Sequence, residues 1–134
     1  MILGIDPGER RVGLAVADSE TRFARPLEVV DVTAADPVER IVAIVTELGV
    51  ERVIVGRPVG LSGNAGPAVD AQQELVVRLQ ERLDVPLEEY DERLTTVIAE
   101  QGLRAAGASR AARKKARDAV AAQVMLQGYL DSHK

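Results

Sequence analysis

Four carboxylates in this chain stand where chemistry could be done. Asp6 ends the apolar run Ile2-Leu3-Gly4-Ile5, and Pro7 and Gly8 follow at once. Those two suit a sharp turn, one by its fixed φ and the other by its tolerance of positive φ. Asp91 and Glu92 close a second run just ahead of Arg93 and Leu94-Thr95-Thr96. Asp118 comes late, immediately before Ala119, with Ala121 and Ala122 beyond it. Read singly, each has a bland use: a turn residue at Asp6, a helix cap at Asp91, a solvated face or a dipole partner at Asp118. Read together, acids from two strand ends and a facing helix make a hard-oxygen site. Such a site suits Mg²⁺ or Mn²⁺, which take a few carboxylates and keep waters for a substrate phosphate. Two ions about 3.5–4 Å apart can activate a water and stabilise the leaving oxygen in phosphodiester hydrolysis. The alanines matter because small side chains let a helix approach a sheet closely enough for a short Asp to reach the strand ends.

Composition removes most competing chemistries. There is no cysteine in the 134 residues, so disulfides, thiolate metal sites and Cys nucleophiles are excluded. The chain has one histidine, His133 beside the C-terminus, which argues against a His-based triad or a His-rich zinc site. One Phe, two Tyr and no Trp imply an aliphatic core, and stacking on aromatic platforms is not the expected mode of nucleic-acid contact. Net charge is -4, but its distribution is polarised. Between Gln101 and Arg117 stand Arg104, Arg110, Arg113, Lys114, Lys115 and Arg117 with no acid among them. That stretch is either a solvated surface or a grip on phosphates. No apolar run approaches the length of a membrane span, and Asp6 interrupts any leader-like segment, so the expected location is the cytoplasm.

The elements that must position the acids follow from periodicity. Val12, Leu14 and Val16 alternate with small residues and read as a strand pairing back on the first. Leu27, Val29 and Val30 read as a third strand ending at Asp31, with Pro26 at its start, which argues for an edge or a strand-initial position. Asp36-Pro37 starts a helix that Gly49 ends, and Arg52 to Gly56 is a strand apolar enough to be buried on both faces. Pro58 to Pro67 is a loop by composition. An amphipathic helix over roughly Ala68 to Leu83, a fifth strand from Val85 to Tyr90, a helix from about Thr95 to Gly107 and a last helix from Arg113 to Leu130 complete the order. This β-β-β-α-β-α-β-α-α order predicts one α/β domain over residues 1–134. Its mixed five-stranded sheet has three antiparallel strands, then two parallel ones, with helices on both faces.

Four blocks, GIDPGERRVGLAVAD, VIVGRPVGLSGN, YDERLTTVIAE and KARDAVAAQVMLQGYL, resemble the signature motifs of the YqgF family. These are bacterial nucleases described as Holliday-junction-resolvase-like or as acting on pre-16S rRNA. The resemblance runs from Ile2 to Leu130; the DERLTT block and the late D-x-x-A-A helix are its most specific parts. Arg57 and Gly60 depart from it, standing where an apolar and a polar residue are more usual. It implies an RNase H-like fold and a metal-dependent site of three acids, falling on Asp6, on Glu92 with Asp91 as its alternate, and on Asp118. Arg10, Arg11, Arg93, Arg113, Lys114 and Lys115 are the expected nucleic-acid contacts. The expected function is an Mg²⁺- or Mn²⁺-dependent endonuclease maturing the 5′ end of pre-16S rRNA in ribosome biogenesis, as a monomer or weak homodimer. Three alternatives remain: resolution of branched DNA, which needs a dimer for two symmetric cuts; a nucleic-acid-binding module without catalysis; and an ATPase or sugar kinase of the actin-like type, whose first hairpin also begins D-x-G but which needs two such domains.

Overall fold

The computed structural model describes the backbone of residues 1–57, 67–91 and 110–133, and the side chains of 1–57, 70–90 and 120–133. Five strands form one sheet: β1 (Ile2–Asp6), β2 (Arg11–Ala17), β3 (Ala24–Asp31), β4 (Arg52–Arg57) and β5 (Leu87–Asp91). Their spatial order is β3-β2-β1-β4-β5. The pairs β1/β2 and β2/β3 are antiparallel, whereas β4 pairs parallel with both β1 and β5. This is the mixed sheet that the element order predicts. The helices are α1 (Pro37–Leu48), α2 (Pro67–Arg82) and α3 (Arg110–Ser132).

Alternation along the strands sorts side chains into two layers. Leu3 and Ile5, Val12, Leu14 and Val16, and Val53 and Val55 pack with Val38, Ile41 and Ile44 of α1 and Leu75 and Leu79 of α2. The residues between them (Ile2, Ala15, Ala17 and Ile54) pack against Ala122, Met125, Leu126, Tyr129 and Leu130 of α3. The α3 face of the sheet is lined by small residues, so that helix sits close. A Cβ on Gly4 would lie 2.9 Å from the Leu126 Cβ, closer than real side chains come.

Local chemistry fixes the ends of α1. The Asp36 carboxylate accepts from the Val38 N–H at 3.0 Å, Pro37 occupies the first turn, and Gly49 adopts a left-handed φ of 63°.

Three element starts differ by two residues or more from the sequence expectation, one for a tertiary reason and two for local ones. β3 begins at Ala24, three residues before Leu27, because α3 holds the Ala24 backbone. Gln127 accepts from its N–H at 2.8 Å and Gln123 donates to its carbonyl at 3.1 Å. Pro26 therefore lies inside the edge strand, opposite Ala15, where the register shifts. β5 begins at Leu87 because Pro86 has no N–H to give, while its carbonyl accepts from Val53 at 2.9 Å. α3 begins at Arg110, since Arg110, Ala111 and Ala112 are strong helix formers. The loop from Pro58 to Gly66 and the helix expected from about Thr95 to Gly107 lie outside the described residues.

Candidate active site

Asp6 is the last residue of β1 and shares the α3 face with Ile2 and Gly4, by the two-residue period of the strand. It pairs in register with Gly13 and is half-buried. The turn after it is tight. A Cβ on Gly8 would meet the Arg11 carbonyl oxygen at 2.5 Å, so only glycine fits there. The Val32 N–H donates to the Arg10 carbonyl at 2.9 Å, tying this turn to the end of β3.

The direction of α3 follows from its contacts. Tyr129, near its C-terminal end, reaches Arg52 at the start of β4 and Glu88 near the start of β5. The helix therefore runs antiparallel to β1, and its N-terminal half lies toward the end of β1 that carries Asp6. Asp118 precedes Ala121, Ala122 and Met125 by three, four and seven residues, which puts its helix position on the same sheet-facing stripe. It lies two turns before Leu126, about 12 Å along the axis, whereas Asp6 lies about 7 Å beyond Gly4 along β1. The fold thus brings the Asp6 and Asp118 positions to one face and one end of the sheet.

Asp91 is placed differently. It ends β5 in register with Arg57, on the same strand face as Leu87 and Glu89. Glu89 points to α2, where it accepts from the buried Gln72 amide at 2.6 Å. The Asp91 register position is therefore on the α1–α2 face, opposite that of Asp6. Glu92 and Arg93, with Arg104, lie outside the described residues, as do the side chains of Asp91, Arg110, Arg113, Lys114, Lys115, Arg117 and Asp118. Among the described residues no three acids or histidines converge on one point.

Arg10 is exposed and Arg11 half-buried on the hairpin beside Asp6. Arg11 is in register with Asp31. The Asp31 carboxyl is held below its ordinary range, first by the Thr33 hydroxyl and backbone N–H and then by the nearby Arg10 and Arg11 guanidinium groups. Part of the positive field on this hairpin is thus offset by Asp31.

Sequence reasoning missed the residues that set the register of α3 on the sheet. The Gln127 amide clamps the turn before β3 from both sides of Phe23, accepting from Ala24 and donating to the Arg22 carbonyl at 3.1 Å. Arg22, at a φ of 59°, donates to the Leu130 and His133 carbonyls at 3.0 and 2.8 Å and so caps α3. Tyr129 donates to Glu88 at 2.7 Å and accepts from Arg52 at 3.0 Å; burial and the Glu88 carboxylate push its phenol upward. His133 stacks on Tyr129 at 4.0 Å, at the end of the sheet remote from Asp6. The only sequence trace of this arrangement is the i, i+4 spacing of Gln123 and Gln127 on one side of the helix.

Residues 1–132 match the family model of RuvX, described as a Holliday junction resolvase. The chain belongs to the RuvX family. Its curated relatives are named "Putative pre-16S rRNA nuclease". The Chloroflexus aggregans protein is 46% identical, over 99% of this chain and 94% of the relative. The Desulforamulus reducens protein is 40% identical, over 98% and 96%. Among solved structures, T. thermophilus RuvC in complex with a Holliday junction substrate superposes with a TM-score of 0.61 at 20% identity, covering 98% of this chain and 94% of that one. The Fowlpox virus resolvase in complex with junction DNA also gives 0.61, at 11% identity, covering 98% and 97%. At those identities the likeness carries the fold, which is RNase H-like as in RuvC. The RuvX assignment agrees with the family that the four motif blocks resemble.

Proposed function

We propose that this RuvX-family chain is a metal-dependent endonuclease that hydrolyses phosphodiester bonds at the 5′ end of pre-16S rRNA in the cytoplasm. What supports the reading is that strand period and helix direction put the Asp6 and Asp118 backbone positions on the α3 face, toward the C-terminal end of β1. Glu92 is the third acid in this reading. The alternation of β5 supports it, because Asp91 falls on the opposite face. A donor set of carboxylates, in a chain with no cysteine and with His133 at the far end of the sheet, fits the oxygen-loving Mg²⁺ or Mn²⁺. When bound, such ions supply activation of a water and neutralisation of the charge that develops on phosphate.

The protein's own part is positional. Asp6 is held at the strand end by the β1/β2 ladder and by a turn that only Gly8 permits. Asp118 is carried by a helix whose register the Arg22 cap, the two glutamines and Tyr129 determine. Arg10 and Arg11 on the hairpin, Arg93, and Arg113, Lys114 and Lys115 on α3 hold the substrate backbone by charge-assisted contacts to phosphate. The chain acts as a monomer or weak homodimer. The names of the curated relatives support RNA as substrate.

The test compares wild type with Asp6→Asn on precursor rRNA and on four-way junction DNA, each with Mg²⁺ and with Mn²⁺. The expected result is cleavage of the RNA by wild type, and loss of at least about a hundredfold in the variant with its Tm unchanged. Undiminished cleavage by Asp6→Asn overturns the acid set. A second reading, resolution of branched DNA, is favoured by the family description and by the junction complexes of the structural neighbours. Paired symmetric cuts in junction DNA by a dimer, with precursor RNA left intact, would establish that reading instead.

A further inference from the structure

The two helical layers differ in charge as well as in packing. α3 carries five basic and two acidic residues, whereas α1 has one base against two acids and α2 has two against three. The arginines of α2 are already engaged. Arg78 pairs with Asp36 at 2.7 Å, and Arg82 pairs with Glu39. Between α2, the turn after Asp6 and the loop leading into α1 lies a groove of about 590 Å³. Its floor is apolar, formed by Val12, Val32 and Leu75. Its rim carries Glu9 and Glu74, neither of them in an ion pair among the described residues. Asp36 and Arg78 also line it and offset each other, and Arg78 lies within the field of Glu74, so a nucleic-acid backbone laid here would face a net excess of carboxylates. The groove's size is that of a site for a drug-sized ligand, which a short peptide segment matches, and its rim suits cations.

We propose that this groove is a docking site for a basic segment of a protein partner, one that inserts an aliphatic or aromatic side chain and sets flanking lysines or arginines against Glu9 and Glu74. Charge complementarity selects the partner class, as opposite potentials do at interfaces generally. The groove wall includes Pro7, Gly8 and Glu9, which follow Asp6 directly. A protein seated there adjoins the catalytic end of the sheet while leaving the α3 face open to substrate. The nuclease could thereby be delivered to a nucleic acid that already carries a basic protein.

The probe is a blocked pentapeptide, Lys-Leu-Lys-Phe-Lys, with Glu-Leu-Glu-Phe-Glu as its charge-reversed control. Binding is read by titration calorimetry and by methyl NMR shifts of Val12 and Leu75 in the full chain. The expected result is saturable binding of the lysine peptide that shifts those methyls and weakens with added salt. The same peptide should bind about tenfold more weakly to Glu74→Lys, where an attraction becomes a repulsion. Glu74 is exposed and outside the nuclease site, so Tm and cleavage stay at wild-type values and certify the fold of the variant. The proposal is overturned if the lysine peptide fails to bind, if the glutamate peptide binds as well, or if Glu74→Lys binds undiminished. It is equally overturned if an RNA oligonucleotide shifts the same methyls, or if the groove proves to be a self-association surface that Glu74→Lys dissociates. Because cleavage is unaffected in the variant, these outcomes are separate from the fate of the nuclease reading.

Discussion

The two faces of the sheet are built on opposite plans. Toward α1 and α2 the strands present Leu3, Ile5, Val12, Leu14, Val16, Val53 and Val55, large side chains that keep the helices at an ordinary packing distance. Toward α3 they present Gly4, Gly13, Ala15 and Ala17 beside Ile2 and Ile54, and the helix answers with Ala121 and Ala122 beside Met125, Leu126, Tyr129 and Leu130. The first face buries the larger strand side chains. The second gives up that area for a close approach. An aspartate side chain is short, so two of them on facing elements can serve one ion only if their backbones are near. In the proposed reading the chemistry falls on the lean face and the ballast on the bulky one, which separates the two demands.

The largest stability effect should come from the bulky face. Leu14→Ala leaves a hole between the sheet and α1, and is expected to cost about 2–5 kcal/mol by denaturant unfolding. Cleavage per folded molecule, measured well below the lowered Tm, should stay near wild type. A Leu14→Ala protein that remains folded yet loses cleavage would break the separation of faces.

Gly4→Val attacks the lean face. Its Cβ would start 2.9 Å from the Leu126 Cβ, so α3 must move outward. Overpacking of this kind is expected to cost about 1–3 kcal/mol. In contrast to Leu14→Ala, it should remove most cleavage even where the protein is fully folded, because it displaces the helix that carries Asp118. Retained cleavage would show that close approach of α3 is not what the site requires.

The smallest effect belongs to the periphery of the bulky face. The Arg40 guanidinium donates to both oxygens of Glu28 at 2.9 and 2.8 Å and holds that carboxyl below its ordinary value of 4.5. A depressed carboxylate contributes stability that is present above its unfolded value and lost as pH falls through the folded one. Arg40→Ala should therefore lower stability only slightly at neutral pH, the pair being partly exposed. The difference from wild type should close as pH falls below 4.5. Thermal melts at pH 7 and at acid pH measure it, and cleavage at neutral pH should not change.

Much of the fold was legible because its signals are local. The apolar alternation of β1 and β2, the Asp36-Pro37 start and Gly49 stop of α1, and the doubly apolar β4 each state their structure within a few residues. Boundaries drifted where distant groups intervened, as at Ala24, which α3 holds from about a hundred residues away. Of the site, Asp6 was legible from the strand and turn around it. Asp91 and Glu92 could not be told apart by motif, since both close the same run. Only the pairing of β5 with β4 and the Glu89 contact to α2 assign Asp91 a face.

By itself, then, the sequence determined the element order, the aliphatic core, the absence of thiol chemistry and the identity of the candidate acids, because periodicity and residue chemistry are properties of short stretches. The tertiary structure decided which acids share a face, how closely α3 approaches, and where an acidic groove stands apart from the basic helix. Those depend on strand register and helix direction. Both are set by side chains such as Gln127, Arg22 and Tyr129, whose partners lie elsewhere in the chain and are found only on folding.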